Sequence, residues 1–462
     1  MPSTLFSSTS LSSALVNNLS TLGYDQMTPI QAQSLPAILA GEDVIAQGKT
    51  GSGKTAAFGL GLLHNLNVKR FRVQALVLCP TRELADQVAK EIRKLARAIH
   101  NIKVLTLCGG TPLGPQIGSL EHGAHIIVGT PGRIEDHLNK GRLRIDELNT
   151  LVLDEADRML EMGFESALEL IFSLCPANRQ NLLFSATFPA QIKPITEHIM
   201  SNPVVVKVES SPDKSTITQH FYQLENNVER NEAVQRILMA NQPKSAVIFC
   251  NTKVETQALA QQLSALGYSC LPLHGDLEQR DRDQTLVCFA NQSIRVLVAT
   301  DVAARGLDVD TVDTVINYHL ARDPEIHLHR IGRTGRAGSK GTAHSIITHQ
   351  DAHKIIKLEE YLAHDITAED LPAVEVLNNV IGQAAMVTLQ IDGGKKQKLR
   401  PGDILGALTA NKAISGKSIG KIQIFDTRAY VALEPQLANV AEKTIASGKL
   451  KGRNFRVRIL KL

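Results

Sequence analysis

The 462-residue sequence predicts an α/β protein with two units built on parallel sheets and a smaller α+β unit at the end. Three observations lead to this prediction. Short apolar runs alternate with amphipathic stretches twice along the chain, and the length exceeds what one hydrophobic core usually supports. The charge also changes: residues 384–462 carry 15 basic and 5 acidic side chains, against 35 basic and 41 acidic in the other 383 residues.

The first unit has the pattern of a buried parallel sheet covered by helices. Its nearly continuous apolar runs are VQALVLCP, HIIVGTP, LVLDEAD and LLFSAT, and each ends in polar or turn residues. Between the first two runs, RELADQVAKEIRKLARAI places its apolar residues on one face of a helix. Those residues are Leu84, Val88, Ile92, Leu95 and Ile99.

The same alternation recurs in AVIFCNT, VETQALAQQLSALG, SCLPLHG, IRVLVATD and VDTVINY, which predicts a second unit of similar size. A polar, proline-containing segment separates the two units. The basic third unit shows a β-α-β-β-α-β order of patterns. We therefore predict domains at residues 1–207, 220–365 and 384–462, with linkers at 208–219 and 366–383.

Composition favours a soluble globular protein of the cytoplasm. Hydrophobic residues make up 43% and charged residues 21%, and no stretch approaches the apolar length that a bilayer requires. The beginning, MPSTLFSSTSLSSALV, does not have the basic leader and long apolar run of a signal peptide. The six cysteines include no closely spaced metal or redox pair, so we interpret them as buried thiols in a reducing compartment.

The segment GKTGSGKT, residues 48–55, fits the pattern of a phosphate-binding loop and follows the apolar run DVIA. Its glycines allow backbone N–H groups to point at phosphate oxygens. Lys54 can reach the β- and γ-phosphates of a nucleotide, and the Thr55 hydroxyl can bind Mg²⁺. The predicted nucleotide-binding residues of this loop are Gly51, Ser52, Gly53, Lys54 and Thr55.

Acidic residues follow a later apolar run, where LVLDEADRM places Asp154 and Glu155 at the end of a strand, with Asp157 next. Ligands of parallel α/β sheets bind beyond the carboxyl ends of strands. One carboxylate there can hold Mg²⁺, and a neighbouring one can orient or deprotonate an attacking water. An acidic helix N-terminus would give the same letters, but the phosphate-binding loop upstream favours a metal site.

A basic segment, HRIGRTGRAG at residues 329–338, carries His329, Arg330, Arg333 and Arg336 among glycines, with no acidic residue inside the run. Guanidinium groups bind phosphate through a fork of two N–H donors. The segment therefore predicts a phosphate clamp, although it lies far along the chain from the loop at 48–55.

The ordered series of motifs resembles the DEAD-box RNA helicases. The matching motifs are PTRELA at 80–85, TPGR at 130–133, DEAD at 154–157, SAT at 185–187, ATDVAARGLD at 299–308 and HRIGRTGR at 329–336. GYDQMTPIQ, residues 23–31, resembles the adenine-reading segment of that family, and the resemblance covers about residues 6–350. It implies two RecA-like lobes joined by a flexible linker, with ATP bound between them.

The resemblance also implies roles for individual residues. Gln31 would read adenine, Phe6 would stack on it, and Asp308 would contact the ribose. Arg333 and Arg336 would be arginine fingers that reach the nucleotide when the lobes close. The residues implied to couple hydrolysis to RNA binding are Asp157, Ser185, Thr187 and His329, and those implied to line the RNA backbone are Arg82, Gly110, Thr130, Arg133 and Thr300. Gly48 departs from the family, which commonly has alanine there.

The third unit resembles an RNA recognition motif in its order of elements but departs from it in its residues. In DTRAYVAL, residues 426–433, Arg428 and Leu433 stand where aromatic side chains are usual, and only Tyr430 keeps the pattern. We expect Tyr430 and Arg456 to contact RNA. Basic residues are expected to contribute more than the sheet; they are Lys395, Lys396, Lys398, Arg453, Arg456 and Arg458.

The chain resembles those family members in which a compact basic domain replaces the usual tail, and this resemblance implies a more specific function. It implies an RNA-stimulated ATPase that uses ATP and Mg²⁺ to open short RNA duplexes, targeted to 23S ribosomal RNA in particles of large ribosomal subunit assembly. The same motifs are compatible with an alternative, an ATP-gated RNA clamp or ribonucleoprotein scaffold without productive unwinding. A DNA translocase fits them less well.

Overall fold

The structure is a computed structural model, and it describes residues 4–48, 51–188, 192–208, 216–224, 230–304, 312–335, 339–410 and 413–460. The chain divides into two compact units, Met1–Pro212 and Asp213–Leu462. We call the first unit lobe 1. The second unit contains a parallel-sheet part, lobe 2, and a smaller part from Met386 onward, the C-terminal domain. The predicted fold class, two parallel-sheet lobes and a small α+β domain, is confirmed.

Lobe 1 is built on a parallel sheet. Its strands are β1 (Val44–Gln47), β2 (Ala75–Leu78), β3 (Val104–Leu107), β4 (Ile126–Gly129), β5 (Thr150–Asp154), β6 (Gln180–Ser185) and β7 (Val204–Lys207). Within the described residues they are ordered β3-β4-β2-β5-β6-β1-β7, and every neighbouring pair is parallel. This order places β6 between β1 and β5, which positions the candidate site.

Helices cover both faces of this sheet. They are α1 (Ser13–Thr21), α2 (Pro29–Leu39), α3 (Lys54–His64), α4 (Arg82–Leu95), α5 (Leu113–Glu121), α6 (Pro131–Asn139), α7 (Ala156–Glu161), α8 (Glu165–Leu174) and α9 (Ile192–Ile199). Alternate residues of β2 enter different cores: Val77 packs in one, and Leu76 and Leu78 pack in the other. A strand buried on both faces explains why its sequence is a continuous apolar run.

Lobe 2 repeats the arrangement. Its strands are β8 (Ile217–Leu224), β9 (Ala246–Cys250), β10 (Cys270–Leu273), β11 (Val296–Thr300), β12 (Thr314–Asn317) and β13 (Gly341–Thr348). Its helices are α10 (Arg230–Asn241), α11 (Lys253–Ala265), α12 (Gln279–Ala290), α13 (Asp301–Ala304), α14 (Pro324–Ile331) and α15 (Ala352–Leu362). In the described part of the lobe the strand order is β10-β11-β9-β12-β13-β8, again with parallel neighbours.

The segment predicted as a linker at 366–383 lies along lobe 2. The Glu369 backbone N–H donates to the Phe221 carbonyl at 2.7 Å, and the Glu369 carboxylate contacts the His220 ring at 2.8 Å. Apolar residues of the same segment, Leu371, Val376, Leu377 and Ile381, pack against a core of the lobe. The segment thus extends lobe 2 before it enters the C-terminal domain.

The C-terminal domain has the predicted β-α-β-β-α-β order. Its elements are β14 (Val387–Ile391), α16 (Pro401–Thr409), β15 (Ile419–Ile424), β16 (Ala429–Leu433), α17 (Ala438–Ser447) and β17 (Val457–Ile459). The strands form an antiparallel sheet in the order β15-β16-β14-β17. One face of this sheet packs on the two helices through residues such as Leu389, Val431 and Ile445.

The other face of that sheet packs on lobe 2. Tyr430 and Leu460 belong to a core cluster that otherwise consists of lobe 2 residues. The Thr388 hydroxyl lies 2.6 Å from the Ser293 hydroxyl and accepts a hydrogen bond from the Asn291 side chain at 3.2 Å. A buried apolar contact together with these side-chain hydrogen bonds holds the C-terminal domain on the turn that follows α12.

None of the helices in the described parts of the chain has both the length and the apolar character needed to cross a membrane. The six cysteines are free thiols, and all except the half-buried Cys175 are buried, as the sequence predicted.

Candidate active site

Three predicted motifs meet at one edge of lobe 1, because β1, β6 and β5 are neighbours in the sheet. Gln47, the last residue of β1, pairs with Ser185, the last residue of β6. Asp154, the last residue of β5, pairs with Phe184. The backbone N–H of Gly48 donates to the Ser185 carbonyl at 3.0 Å, which ties the start of the phosphate-binding loop to the middle strand. The carboxyl ends of parallel strands are where such sheets bind ligands.

The phosphate-binding loop ends at Gly53, which caps α3 with a left-handed φ of 93°. A Cβ at Gly53 would lie 2.5 Å from Nε2 of Gln31, so glycine is needed for its conformation and for this close approach. The Gln31 amide donates to the Gly53 carbonyl at 3.0 Å, and its oxygen accepts from the Thr28 backbone N–H at 2.9 Å. The predicted adenine-reading residue is therefore held directly against the loop.

Gly48, where the family commonly has alanine, is also closely packed. A Cβ at this position would lie 2.7 Å from Cδ1 of Ile30 and 3.2 Å from Oγ of Ser52. The Ile30 side chain therefore occupies the space that an alanine methyl group would need, and alanine would require Ile30 to move.

Lys54 and Ser52 present polar groups inside the loop. The Lys54 side chain is 7% exposed, and its ammonium donates to the Gly48 carbonyl at 2.6 Å. The buried Ser52 hydroxyl has no hydrogen-bond partner among the described residues. Together with the backbone N–H groups at the start of α3, these donors fit the phosphates of a nucleotide.

Asp154 and Glu155 lie across the strand ends from this loop. Burial raises the pKa of Asp154 to about 7, although the nearby Lys54 ammonium opposes this shift. Glu155 caps α7 in the left-handed region at a φ of 54°, an unfavourable conformation for a residue with a side chain and one that is concentrated at functional sites. A buried carboxylate is strongly driven to find a cation, and Mg²⁺ prefers such hard oxygen ligands.

The Thr55 hydroxyl and the Asp154 carboxylate fit Mg²⁺ as ligands. The part of the chain that the structure describes has no group of three or more His, Cys, Asp or Glu side chains that could hold a metal ion. Mg²⁺ usually takes one or two carboxylates together with water and substrate phosphates.

Asp157 joins the acidic motif to the end of β6. Although burial opposes its ionisation, hydrogen bonds from Thr187 and the charge of Arg158 hold the pKa of Asp157 below its usual value. The Thr187 hydroxyl donates to the Asp157 carboxylate at 2.7 Å. The carboxylate also accepts from the Arg158 backbone N–H at 2.9 Å. Ser185 is fully buried beside this pair of motifs.

The residues predicted to line the RNA backbone in lobe 1 surround one loop, Gly109–Thr111. An Arg82 N–H donates to the Gly110 carbonyl at 3.4 Å, and the Gly109 backbone N–H donates to the Thr130 hydroxyl at 3.4 Å. The Arg133 guanidinium donates twice to the Thr111 carbonyl, at 3.3 and 3.4 Å. Residues from three separate segments of the sequence are thus brought to one exposed loop, and two of them are arginines.

In the basic segment of lobe 2, two arginines differ in their surroundings. Arg330 is 2% exposed, and its guanidinium binds both oxygens of Asp301, at 2.6 and 2.7 Å. Arg333 follows the end of α14, where its backbone carbonyl accepts from the Val312 N–H at 3.1 Å. Arg336 and Asp308 lie outside the described residues.

Other predicted residues have these positions. Phe6 is 3% exposed in a core of lobe 1, so its ring would have to be uncovered before it could stack on a base. Thr300 ends β11, and His329 lies in α14. Arg456 is exposed beside β17. Tyr430 is 2% exposed because it faces lobe 2, so base stacking on this ring is blocked in the present arrangement.

The sequence patterns did not identify the two buried residues that lie behind the Gly109–Thr111 loop. Gln116 and His137 are buried polar residues that connect α5 and α6 to the Gly109–Thr111 loop. In the sequence, a glutamine and a histidine on amphipathic helices indicate only a polar face. No spacing rule distinguishes them from exposed residues.

The chain matches three families. Residues 28–195 match the DEAD/DEAH box helicase family, and residues 229–338 match the helicase conserved C-terminal domain. Residues 388–459 match the DbpA RNA binding domain.

Two relatives align over most of the chain. It is 53% identical to the ATP-dependent RNA helicase DbpA of Escherichia coli (strain K12) over 97% of both chains. It is 44% identical to the DEAD-box ATP-dependent RNA helicase CshA of Geobacillus kaustophilus (strain HTA426), over 77% of this chain and 76% of that one.

Among solved structures, Dbp5 of S. cerevisiae bound to RNA and ADP BeF3 matches with a TM-score of 0.71 and 29% identity. That match covers 82% of this chain and all of the other. The structure of Mss116p bound to ssRNA and AMP-PNP matches with a TM-score of 0.71 and 26% identity, over 87% of this chain and 83% of that one.

The fold and the site define a nucleotide-driven enzyme that acts on RNA, and the chain belongs to the DEAD-box family of ATP-dependent RNA helicases. Its third domain gives it the domain content of the DbpA type.

Proposed function

We propose that this helicase is an RNA-stimulated ATPase that opens short RNA duplexes locally and works on 23S ribosomal RNA during assembly of the large ribosomal subunit in the cytoplasm. The observation that carries the hydrolytic part is that Asp154 and Ser185 end two neighbouring strands and that the Lys54 ammonium bonds to the Gly48 carbonyl, just after the end of the third. We also propose that the chain is divided into three domains, as the sequence patterns predict, at residues 1–207, 220–365 and 384–462.

Each group at the strand ends has a proposed task. Lys54 and the loop N–H groups bind the β- and γ-phosphates, and Gln31 selects adenine next to them. Thr55 and Asp154 would hold Mg²⁺, which would neutralise phosphate charge. Glu155 orients and deprotonates the attacking water. Arg333 and Arg336 stabilise the charge that develops in the transition state. The relative Dbp5, solved with RNA and ADP BeF3, supports the use of both ligands.

We infer that lobe 1 holds RNA through its backbone at the Gly109–Thr111 loop. Arg82, Thr130 and Arg133 surround that loop, and Thr300 provides a corresponding position in lobe 2. Phosphate and sugar contacts position a strand but carry no sequence information. The lobes would therefore act on any RNA that is brought to them.

RNA selectivity is assigned to the C-terminal domain. Residues 384–462 carry a net charge of +10, and the rest of the chain carries −6. Because the sheet face with Tyr430 packs on lobe 2, binding falls to exposed basic residues at the ends of the strands. These residues are Lys395, Lys396, Lys398, Arg453 and Arg456.

The sharpest test uses the full-length chain. Deleting residues 384–462 would uncover the face of lobe 2 that Tyr430 and Leu460 cover, so charge reversal is the cleaner change. The variant Lys395→Glu, Lys396→Glu, Lys398→Glu should lose its preference for a structured 23S ribosomal RNA fragment over generic RNA. The matched control reverses the same number of exposed charges elsewhere in the domain, at Lys417, Lys443 and Lys449.

Binding and ATPase activity are measured on both RNAs at several salt concentrations. The reversal should reduce the salt dependence of binding to the fragment, because fewer counterions are released. ATPase activity with excess generic RNA should survive. Unchanged RNA preference in the triple variant would refute the assignment. Strand displacement measured beside the ATPase distinguishes this function from the alternative, an RNA clamp, because a clamp would hydrolyse ATP without separating duplexes.

A further inference from the structure

A network of buried hydrogen bonds lies directly behind the Gly109–Thr111 loop. The Thr111 hydroxyl donates to the Cys108 carbonyl at 2.8 Å, which closes the loop on itself. Gln116, on α5, donates through Nε2 to the same carbonyl at 3.0 Å and also to the Thr111 hydroxyl. Gln116 is 7% exposed, so these bonds are shielded from water.

His137, on α6, completes the network. Its Nε2 lies 3.2 Å from Oε1 of Gln116, and the histidine is fully buried. The Gln116 nitrogen is already committed to two oxygens, and a flipped amide would place its oxygen against the Cys108 carbonyl. Oε1 must therefore accept, which requires the His137 proton to be on Nε2.

Arg133 and His137 are four residues apart on α6 and so lie on the same side of the helix. The histidine is thus linked to the loop twice: through Gln116, and through the helix that carries the Arg133 guanidinium to the Thr111 carbonyl. Burial, and then the charge of Arg133, lower the pKa of His137. Both effects keep the ring neutral, with a single N–H to donate.

The other ring nitrogen, Nδ1, is buried and has no hydrogen-bond partner among the described residues. A buried nitrogen without a partner is unfavourable, and an apolar side chain of similar size would avoid the problem. Histidine at this position is therefore poorly explained by packing alone, whereas the donor on Nε2 has a defined acceptor and a defined consequence for the loop.

We propose that Gln116 and His137 are positioning residues for RNA binding, which fix the shape of the Gly109–Thr111 loop and the direction of Arg133 toward the RNA backbone. This inference rests on the proposed role of the loop in gripping RNA. Neither residue touches RNA or nucleotide; each acts through the loop.

The test compares five full-length variants, the fifth of which, Arg133→Ala, is described last. His137→Leu keeps the volume and loses the donor, whereas His137→Gln can place an N–H near the position of Nε2. Gln116→Met removes the links from the other side. His125→Leu is the control: His125 is equally buried in lobe 1, but its ring bonds to the Lys103 N–H and the Val68 carbonyl, both at 3.1 Å, away from the loop.

ATPase activity is titrated with single-stranded RNA and, separately, with ATP, and thermal unfolding is recorded for each variant. His137→Leu and Gln116→Met should raise the RNA concentration for half-maximal activity about tenfold, the effect of one lost buried hydrogen bond. The kcat at saturating RNA and the KM for ATP should stay within about twofold of wild type, since neither residue reaches the nucleotide. His137→Gln should recover most of the RNA affinity, and His125→Leu should lower stability without changing RNA dependence.

The inference is overturned if His137→Leu binds RNA as well as His125→Leu does, or if His137→Gln is as impaired as His137→Leu. Arg133→Ala separates the two levels of the argument, because it removes a proposed RNA contact itself. Normal RNA dependence in Arg133→Ala would refute the RNA site on which the inference rests. Weakened RNA binding in Arg133→Ala together with normal binding in Gln116→Met would refute only the positioning role.

Discussion

The Thr187 hydroxyl and the Thr187 backbone N–H both donate hydrogen bonds to the Asp157 carboxylate, at 2.7 and 3.1 Å. The two residues follow the adjacent strands β5 and β6, so this pair of bonds connects the acidic motif to the end of the middle strand. Asp157 lies close in sequence to Asp154 and Glu155, the candidate hydrolytic carboxylates, and Thr187 lies in the segment that follows β6. We infer that this bond transmits the state of the nucleotide to the rest of lobe 1.

If that is correct, Thr187→Val should separate hydrolysis from duplex opening. Valine keeps the shape and removes the hydroxyl donor, so one buried hydrogen bond to a charged group is lost. Strand displacement should fall by about tenfold, while RNA-stimulated hydrolysis falls much less. Both rates are measured with the same duplex. Thr196→Val, in α9, is the control because that hydroxyl bonds only within its own helix, to the Lys193 carbonyl. Equal losses in both rates would contradict the coupling role.

Substitution of Lys54 should weaken ATP binding, whereas substitution of Glu155 should slow ATP hydrolysis. Lys54→Ala removes the buried ammonium from the phosphate-binding loop, so ATP affinity should fall by about 10–100-fold. Glu155→Gln keeps the size of the side chain, but an amide does not accept the proton of water. ATP should therefore stay bound while turnover falls by about 10²-fold or more. Equilibrium binding of a fluorescent nucleotide and steady-state turnover distinguish the two. Wild-type turnover in Glu155→Gln would remove that residue from the mechanism.

Substitutions of two arginines in one short motif should also have different effects. Arg330 is buried and bound to Asp301, so Arg330→Ala should destabilise lobe 2 by about 3 kcal/mol, because Asp301 loses its partner. Arg333→Ala should instead lower kcat by about 10³-fold with little change in ATP affinity, and lysine should rescue it poorly because it has no planar fork. Denaturant unfolding and kinetics are recorded for both variants. A kcat defect in Arg330→Ala without loss of stability would reverse the assignment.

The sequence predicted the strands whose signal is local. The runs around β2, β4, β5 and β6 are apolar because each strand is buried on both faces, and such runs are evident without knowledge of their neighbours. It did not identify β13, where His344 and Ser345 interrupt the apolar pattern although both are buried. Nδ1 of His344 lies 3.2 Å from the Tyr222 hydroxyl, and the Ser345 hydroxyl accepts from the Asn317 amide at 3.0 Å. Those partners lie in other strands, so no local pattern reveals them.

The candidate site likewise has some features that the sequence predicted and others that it did not. The glycine-rich loop and the acidic strand end were predictable because chemistry fixes the residue types at short spacing. The arginine segment showed no acidic neighbour, yet Arg330 pairs with Asp301, 29 residues earlier. The contact between Thr388 and Ser293 joins residues 95 apart. A sequence pattern cannot show which buried polar groups will satisfy each other across such separations, and this is why Tyr430 was expected at an RNA surface.

The docking of the C-terminal domain on lobe 2 should depend on Tyr430. Tyr430→Ala removes a ring that is 2% exposed and leaves a cavity in the shared core, which costs about 3–5 kcal/mol when the site does not collapse. Hydrogen exchange in α12 and in the turn at Asn291–Ser293 should therefore become faster. Thr444→Ala, on α17, is the control because that exposed hydroxyl bonds only to the Val440 carbonyl of its own helix. Unchanged exchange in Tyr430→Ala would show that the ring does not hold the domain.

Two buried histidines should make lobe 2 sensitive to acid. Burial lowers the pKa of His344 to about 3, helped by the neighbouring His220, and burial also lowers the pKa of His327 to about 3, helped by Arg330. In the unfolded chain a histidine takes up its proton near pH 6.5. Between about pH 6.5 and 3 the unfolded state therefore binds protons that the folded state does not. The stability is complete above that window and is lost as the pH falls through it, by up to about 1.4 kcal/mol per pH unit for each histidine.

The variant His344→Gln should take up about one proton fewer on unfolding of lobe 2, so its stability should depend less steeply on pH. The unfolding equilibrium of lobe 2 is measured by hydrogen exchange from pH 7 to pH 4. His353→Gln, at an exposed position of the same lobe, should leave the slope unchanged. The same acid sensitivity in His344→Gln as in wild type would show that this ring is protonated as readily in the folded lobe as in the unfolded chain.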